Sequence, residues 1–504
     1  MDTVALRSDR VAPGTGGAVG RRAPVPARVL PVAIGVLAFA VRLRLLLHGG
    51  GLLGIGGYDD GVDYAAGAAL LHGRLPYADF LLLHPPGVAL AVVPFAALGD
   101  ITSDEVGLVV ARLAFELIGG LNAALVVLVL RRSGTVAAAT GGVLYAVLLP
   151  AVWAERSVLL EPLGTLGILL CLLLLGGAVS GRVALAAGIA AGSAIDVKIW
   201  YVVPVAVIAA FVPRHRLRHL AGAAIAVVAV QLPFLVAAPG AMIREVVLDQ
   251  LGRPHVIGLL RRVAEMLDAH RVGVLDLRGV TAALAVLACV AVLITLLTPG
   301  VRVFGALLVA DAAVLLASPS YFEHYGAFTA PPLALCTGIA VQRALRGLPV
   351  GHRPQGVLAA VVCALVLLSG LHVDDRRRSG KAVPVAFVQA VERTRGCITA
   401  DDPTALAVTD VLSRDLRDPR CLVWPDVTGW TYDAADERTP SGHAVLRTEN
   451  ARWQRLLLDY LRSGSATMVL RRSTGLGARD RAALAAAPPI ARFGHDVLRP
   501  VVRR

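Results

Sequence analysis

The chain has 504 residues, 56% of them hydrophobic and 17% charged, with a mean hydropathy of +0.69. That exceeds the apolar share of about 45–50% in ordinary soluble domains and excludes a single soluble core. The net charge of +13 and pI near 10.1 would suggest nucleic acid in a soluble protein, but here the arginines lie between apolar runs, so topology accounts for them and no nucleic-acid partner follows.

Residues 1–28 are basic and rich in Gly, Pro and Ala, and are expected to be a disordered cytoplasmic N-terminus. The apolar run that follows lacks a convincing cleavage site and reads as an uncleaved first span. Runs suited to a hydrocarbon layer of about 30 Å recur along the chain. They predict about eleven transmembrane helices near 29–47, 106–130, 135–153, 159–179, 183–196, 200–213, 219–237, 279–298, 303–318, 326–342 and 355–372. Arginine clusters at Arg21/Arg22/Arg28, Arg131/Arg132, Arg182, Arg214/Arg216/Arg218, Arg302 and Arg343/Arg346/Arg353 mark the inner side. The expected architecture is an all-α polytopic body over 29–372 in a bacterial plasma membrane, with the N-terminus cytoplasmic. An odd number of spans places the C-terminus outside.

Three segments then fall on the outer face: the first loop over 48–105, the stretch 242–278, and the tail 373–504. Within the first loop, 63–72 and 84–98 are apolar but interrupted, and read as helices lying at the interface. The tail changes composition abruptly, with Asp, Arg and Thr throughout, and reads as a soluble extracytoplasmic α/β domain with its own small core. Its strand-like runs are Ala405 to Val408 and Thr467 to Leu470; its helix-like runs are Val383 to Arg395 and Ala451 to Arg462. Cys397 and Cys421 both lie in this exported tail and are expected to form a disulfide. Cys171, Cys289, Cys336 and Cys363 fall in apolar spans and read as packed small residues.

The strongest chemical signal is GYDDGVDY, with Asp59, Asp60 and Asp63 just after a span exit. The flanking glycines suggest a turning backbone that aims these acids at a metal, a basic group or a substrate proton; the plainer reading is a solvated acidic loop. A carboxylate held at the membrane surface can take the proton of an attacking hydroxyl if it is ionised and within reach. At the next outer turn, WAERSVLLEP sets Glu155, Arg156 and Glu161, where an anchoring ion pair to Arg156 competes with a functional role. Lys198 is one of only two lysines and stands near Asp196; it would pair with a phosphate or with that aspartate. SPSYFEHYGAF adds Tyr321, Glu323, His324 and Tyr325, alternatively an interfacial aromatic belt.

The order of an Asp-Asp loop, LLHGRLPYADF, HPPG (His84), an outer-turn Glu-Pro, a lysine after a short span and a late HYGAFTAPP resembles the GT-C class of polyprenyl-phosphate-sugar-dependent glycosyltransferases. The protein mannosyltransferases and aminoarabinose transferases are the relatives concerned, and the tail resembles those of actinobacterial members. The resemblance covers roughly 29–372. It implies that Asp59, assisted by Asp60, is the catalytic base, with Tyr64 matching a motif tyrosine and Glu161 a Glu-Pro position. It also implies that Lys198 and His324 lie near the lipid phosphate, with Arg253 as a further contact. The donor would be a polyprenyl-phosphate sugar, mannose or arabinofuranose, and the acceptor an envelope glycan, lipoglycan or protein. No cofactor is required; a divalent cation near the first-loop acids stays open, though no ligand spacing demands one. The competing reading is a transporter or flippase, which predicts charges along the bilayer midplane and pseudo-symmetric halves.

Overall fold

The computed structural model describes residues 29–48, 50–253, 257–269, 276–349, 351–371, 380–433, 439–441, 445–470 and 475–501. The expected disorder of 1–28 lies outside them. Every one of the eleven apolar segments forms helix. In chain order these are α1 (Val29–Leu47), α2 (Asp59–Leu71), α3 (Gly87–Ile101), α4 (Asp104–Leu130), α5 (Thr135–Val147), α6 (Leu149–Glu155), α7 (Leu160–Leu175), α8 (Gly181–Ile195), α9 (Val202–Ala210) and α10 (Arg216–Ala237). After them come α11 (Pro239–Ile243), α12 (Asp249–Leu251), α13 (Leu259–Met266), α14 (Leu277–Leu297), α15 (Arg302–Ala317), α16 (Ala330–Arg346) and α17 (His352–Leu371).

Among the described residues α1, α4, the helix Pro213–Ala237 and α14 are long and apolar enough to cross a bilayer, and α5 with α6 makes a fifth candidate bent by 59°. The segment expected over 135–153 is therefore broken, at Leu148, whose extended backbone separates the two helices. The short α8 packs backbone to backbone on α10. A Cβ at Gly188 would stand 2.0 Å from the His219 carbonyl oxygen, so glycine is what permits the approach.

In the first outer loop, α2 and α3 occupy the two interrupted apolar stretches. The tail contains α18 (Val385–Glu392), β1 (Ile398–Ala400), α19 (Pro403–Val408), α20 (Leu412–Arg417), α21 (Trp430–Asp433), α22 (Ala451–Ser463), β2 (Ala466–Val469), α23 (Ala478–Leu484), β3 (Ala491–Phe493) and β4 (Asp496–Pro500). Its sheet runs β1-β2-β4-β3, with β1 parallel to β2 and the other pairs antiparallel. The strand expected at Ala405 to Val408 is instead helix α19. Asp402 accepts a hydrogen bond from the Thr404 backbone N–H at 3.0 Å and Pro403 opens the first turn, a start signal that outweighs a four-residue apolar run.

The tail's apolar interior is also not its own. Ile398, Ala400, Leu406 and Met468 belong to one buried cluster with Tyr64, Val88, Val92 and Leu108 of the loop and α4. Polar contacts join the same halves: the Asp104 carboxylate accepts from the Ser413 N–H at 2.8 Å and from its hydroxyl at 2.5 Å. Ile55 and Lys381 exchange two backbone hydrogen bonds of 2.9 Å. A smaller cluster around Trp453, Leu457 and Leu461 reaches Tyr58 of the loop.

Candidate active site

Asp59 and Asp60 open α2 rather than a turning loop. The partial positive charge at a helix start favours acids in the first turn, and that start stabilises two adjacent carboxylates that glycine-flanked spacing alone left unaccounted for. Their fates then diverge. Asp60 is 2% exposed; its Oδ2 accepts from Arg112 Nε at 3.1 Å, Arg112 Nη2 at 2.5 Å and the Ser157 hydroxyl at 2.7 Å, and its Oδ1 from the Gly61 N–H at 2.9 Å. It is fully engaged in holding α2 to α4 and to the turn after α6. The Asp59 side chain is 51% exposed, with His324 Nδ1 3.8 Å away.

Asp59 faces a cavity of about 280 Å³. One wall comes from the body: Asp63, His84, Glu161, Arg253, His324 and Tyr325, with Leu83, Leu159, Leu160 and Phe322. The other comes from the tail: Asp401, Asp426, Thr428, Tyr432, Arg447 and Trp453. Tyr58, next to Asp59 in sequence, joins the walls by donating to Asp426 Oδ1 at 3.0 Å while accepting from the Thr428 N–H at 2.8 Å.

Asp63 lies one helical turn beyond Asp59, on the same side. Burial, then the carboxylates of Asp59, Glu161, Asp426 and Asp60, push its pKa well above the usual carboxylate range. His84 is displaced the other way. Burial and then the cations Lys198 and Arg253 and the ring of His324 hold it well below the usual histidine value, and its ring is neutral. The stretch 82–84 that carries it is clamped by the 242–278 segment: the Leu82 N–H donates to Glu245 at 2.8 Å and Gln250 donates to the Leu83 carbonyl at 2.5 Å.

Arg253 is 5% exposed and donates to the Tyr325 hydroxyl at 3.1 Å, with its guanidinium 4.6 Å from the Tyr432 ring centre. Among the described residues no carboxylate lies within ion-pair distance of it, which leaves this buried cation open to an anion.

Four expected residues sit elsewhere. Lys198 is 2% exposed and bonds Glu161 Oε1 at 2.7 Å, not Asp196, with its ammonium 4.0 Å from the Tyr325 ring; Asp196 accepts instead from Gln231 at 3.0 Å. It stands behind the cavity wall and orients Glu161. Arg156 lies over the Trp153 ring at 3.7 Å and does not line the cavity, and Asp60 is turned away as described. Tyr64 is fully buried with its hydroxyl against Gly99 and Gly107, where a Cβ would come within 2.5 and 2.2 Å of it. On a helix, residues four and five positions past Asp59 point in different directions, so the motif tyrosine packs α2 onto α3 and α4.

Glu155 pairs with Arg42 of α1, not with Arg156, and accepts from Asn122 and the Tyr145 hydroxyl at 2.7 Å each. The tail residues of the cavity had no signal in sequence, since Tyr58 and Asp426 are 368 positions apart.

Cys397 and Cys421 are joined across a Cα–Cα distance of 5.2 Å. With Asp418 they are the one group of three ligand-type side chains within 4.8 Å of one another among the described residues, and their sulfurs are already bonded to each other. The cavity acids do not close into such a group, so the arrangement makes no ready cation cage.

No family model matches the chain, and no curated protein matches it in sequence. Solved structures do. ArnT from Cupriavidus metallidurans bound to undecaprenyl phosphate aligns over 94% of this chain and 98% of its own, at 16% identity and TM-score 0.58. Its apo state aligns equally, with 97% of that chain covered. The Archaeoglobus fulgidus oligosaccharyltransferase tethered to an acceptor peptide aligns over 88% of this chain and 69% of its own, at 11% identity and TM-score 0.53. Body and tail together, the chain has the fold of the GT-C glycosyltransferases.

Proposed function

We propose that the chain is a membrane glycosyltransferase that moves a sugar, mannose or arabinofuranose, from a polyprenyl-phosphate donor to a hydroxyl of an envelope glycan, lipoglycan or protein at the outer face of a bacterial plasma membrane. The observation that carries the reading is that Asp59, alone of its pair, opens to a cavity that also holds a buried arginine without a carboxylate partner among the described residues. The Asp59 carboxylate takes the proton of the acceptor hydroxyl as that oxygen attacks the anomeric carbon. The bond from the anomeric carbon to the phosphate oxygen breaks, its electrons leave with polyprenyl phosphate, and the anomeric configuration inverts. Arg253 and His324 face the phosphate and stabilise the charge it gains. Glu161, held by Lys198, orders the sugar. The undecaprenyl phosphate in the ArnT structure supports this choice of donor.

The transporter reading needs a charged path along the spans. The buried arginines Arg42 and Arg112 are instead tied to Glu155 and Asp60, which leaves Glu116 and Asp311 as isolated acids in the spans among the described residues, while Asp59, Asp63, His84, Glu161, Arg253 and His324 share one cavity roofed by the tail. The test is transfer of radiolabel from polyprenyl-phosphate mannose and polyprenyl-phosphate arabinose to a membrane acceptor extract. Asp59→Asn should lower transfer by roughly 10²–10⁴-fold while the protein stays folded; undiminished transfer would overturn the assignment of the base.

A further inference from the structure

We infer that Asp311, a buried acid of α15 for which the proposed reaction has no use, binds one water molecule together with Tyr201 and Thr165, and that this bridge positions the part of the cavity wall that carries Glu161 and His324.

A second, much smaller cavity of about 10 Å³ lies within the helical body, with Thr165 of α7, Tyr201 and Asp311 as the polar side chains of its lining and Phe328 among the apolar ones. Asp311 is 4% exposed and Tyr201 3%. Asp311 Oδ1 and the Tyr201 hydroxyl are buried with no hydrogen-bond partner among the described residues. Thr165 adds a third polar side chain beside the Tyr201 hydroxyl. A carboxyl and a phenol left unbonded in apolar surroundings cost free energy that a shared water removes. A space of this size takes one water, and a buried water is held by about three hydrogen bonds. The lining supplies that number: the Tyr201 hydroxyl donates to the water oxygen, and the water donates to Asp311 Oδ1 and to the Thr165 hydroxyl.

Tyr201 is where the bridge reaches the larger cavity. Its backbone N–H donates to the carbonyl of Lys198 at 3.1 Å, and Lys198 is the residue that holds Glu161. Its ring lies on Gly164, close to one helical turn beyond Glu161 on α7, where a Cβ would stand 2.2 Å from the ring. The ring also meets that of Phe328 at 5.0 Å between centres, and Phe328 ends the short helix Glu323–Phe328 that carries His324 and Tyr325. One side chain therefore touches the three elements that place Glu161, Lys198 and His324. It sets their spacing only if its own hydroxyl end is held, and the water held by Asp311 does that. Asp311 does not line the larger cavity; it acts through Tyr201 and is a positioning residue. Its effect on sugar transfer rests on the transferase reading, and its binding of water does not.

The test combines structure and kinetics on the full chain in detergent. At a resolution that shows ordered water, the wild type should have a water within about 3.2 Å of both Asp311 Oδ1 and the Tyr201 hydroxyl. Asp311→Asn, which keeps an oxygen for it, should retain the water. Asp311→Leu should lose it, with Tyr201 and the helix Glu323–Phe328 displaced. In the transfer assay Asp311→Leu and Tyr201→Phe should lower kcat by roughly tenfold to a hundredfold with KM within about twofold, and Asp311→Asn should recover kcat to within about threefold of the wild type. The inference is overturned if the wild type holds no water there, if a rubidium soak places a cation on Asp311 instead, if Tyr201 keeps its position in Asp311→Leu, or if Asp311→Leu transfers sugar as the wild type does. A wild type that shows the water, and a Leu variant that shows the displacement, in a protein that transfers no sugar from any donor would uphold the bridge and remove the transferase reading.

Discussion

The charged layer beneath α2 and the cavity beside it use the same side chains under opposite rules. In the layer, Asp60 with Arg112 and Glu155 with Arg42 are buried and saturated, each carboxylate meeting a guanidinium and further donors. In the cavity, Asp59 is half exposed and, among the described residues, Arg253 has no carboxylate within ion-pair distance. Adjacent residues 59 and 60 fall on either side of this divide. A buried pair with every lone pair matched fixes geometry and has nothing left for a ligand, whereas an unmatched group at a cavity rim can exchange water for substrate. The catalytic candidates are therefore the incompletely bonded residues, and the conspicuous ion pairs are the frame that aims them.

The largest effect should come from breaking that frame. Arg112→Gln leaves Asp60 buried without its cation, and removing one partner of a buried pair costs about 3–5 kcal/mol. Thermal unfolding in detergent should fall sharply, with transfer lost together with the fold; an unchanged melting temperature would erase the distinction between layer and cavity. Next is the tail half of the cavity. The disulfide closes a loop of sequence separation 24 just before Trp424 to Tyr432, and Cys397→Ser with Cys421→Ser should cost about 3 kcal/mol on the entropic model. Protease cleavage in the tail should quicken and sugar transfer should fall, because the tail supplies one wall of the cavity; unchanged cleavage and transfer would show that the disulfide does not hold that wall.

The smallest effect is a slope. His84 titrates near 6.5 when unfolded and lower in the fold. Its contribution to stability is thus complete above about pH 6.5 and is lost as pH falls from there through the depressed folded value. His84→Gln should flatten the acid limb of stability against pH by at most about 1.4 kcal/mol per unit. A limb identical to the wild type would mean that the ring is not held neutral by burial and its cationic neighbours.

The sequence by itself determined the helical body. All eleven apolar stretches became helices, because length and composition are local properties, and a backbone withdrawn from water must satisfy its hydrogen bonds within the segment. It also singled out Asp59, His84, Glu161, Arg253, His324 and Tyr325, which all line one cavity. The tertiary structure alone decided which member of each pair of candidates faces that cavity. Asp59 and Asp60 differ only by the 100° that separates neighbours on a helix, and which direction is buried depends on where α4 and its Arg112 lie. Lys198 chose Glu161 over the nearer-in-sequence Asp196, and Glu155 chose Arg42, 113 positions away, over the adjacent Arg156. Eight of the 21 residues lining the cavity came from a tail with no local sign of binding. Long-range pairing of charges is set by burial, and burial is a property of the packed chain that no window of sequence contains.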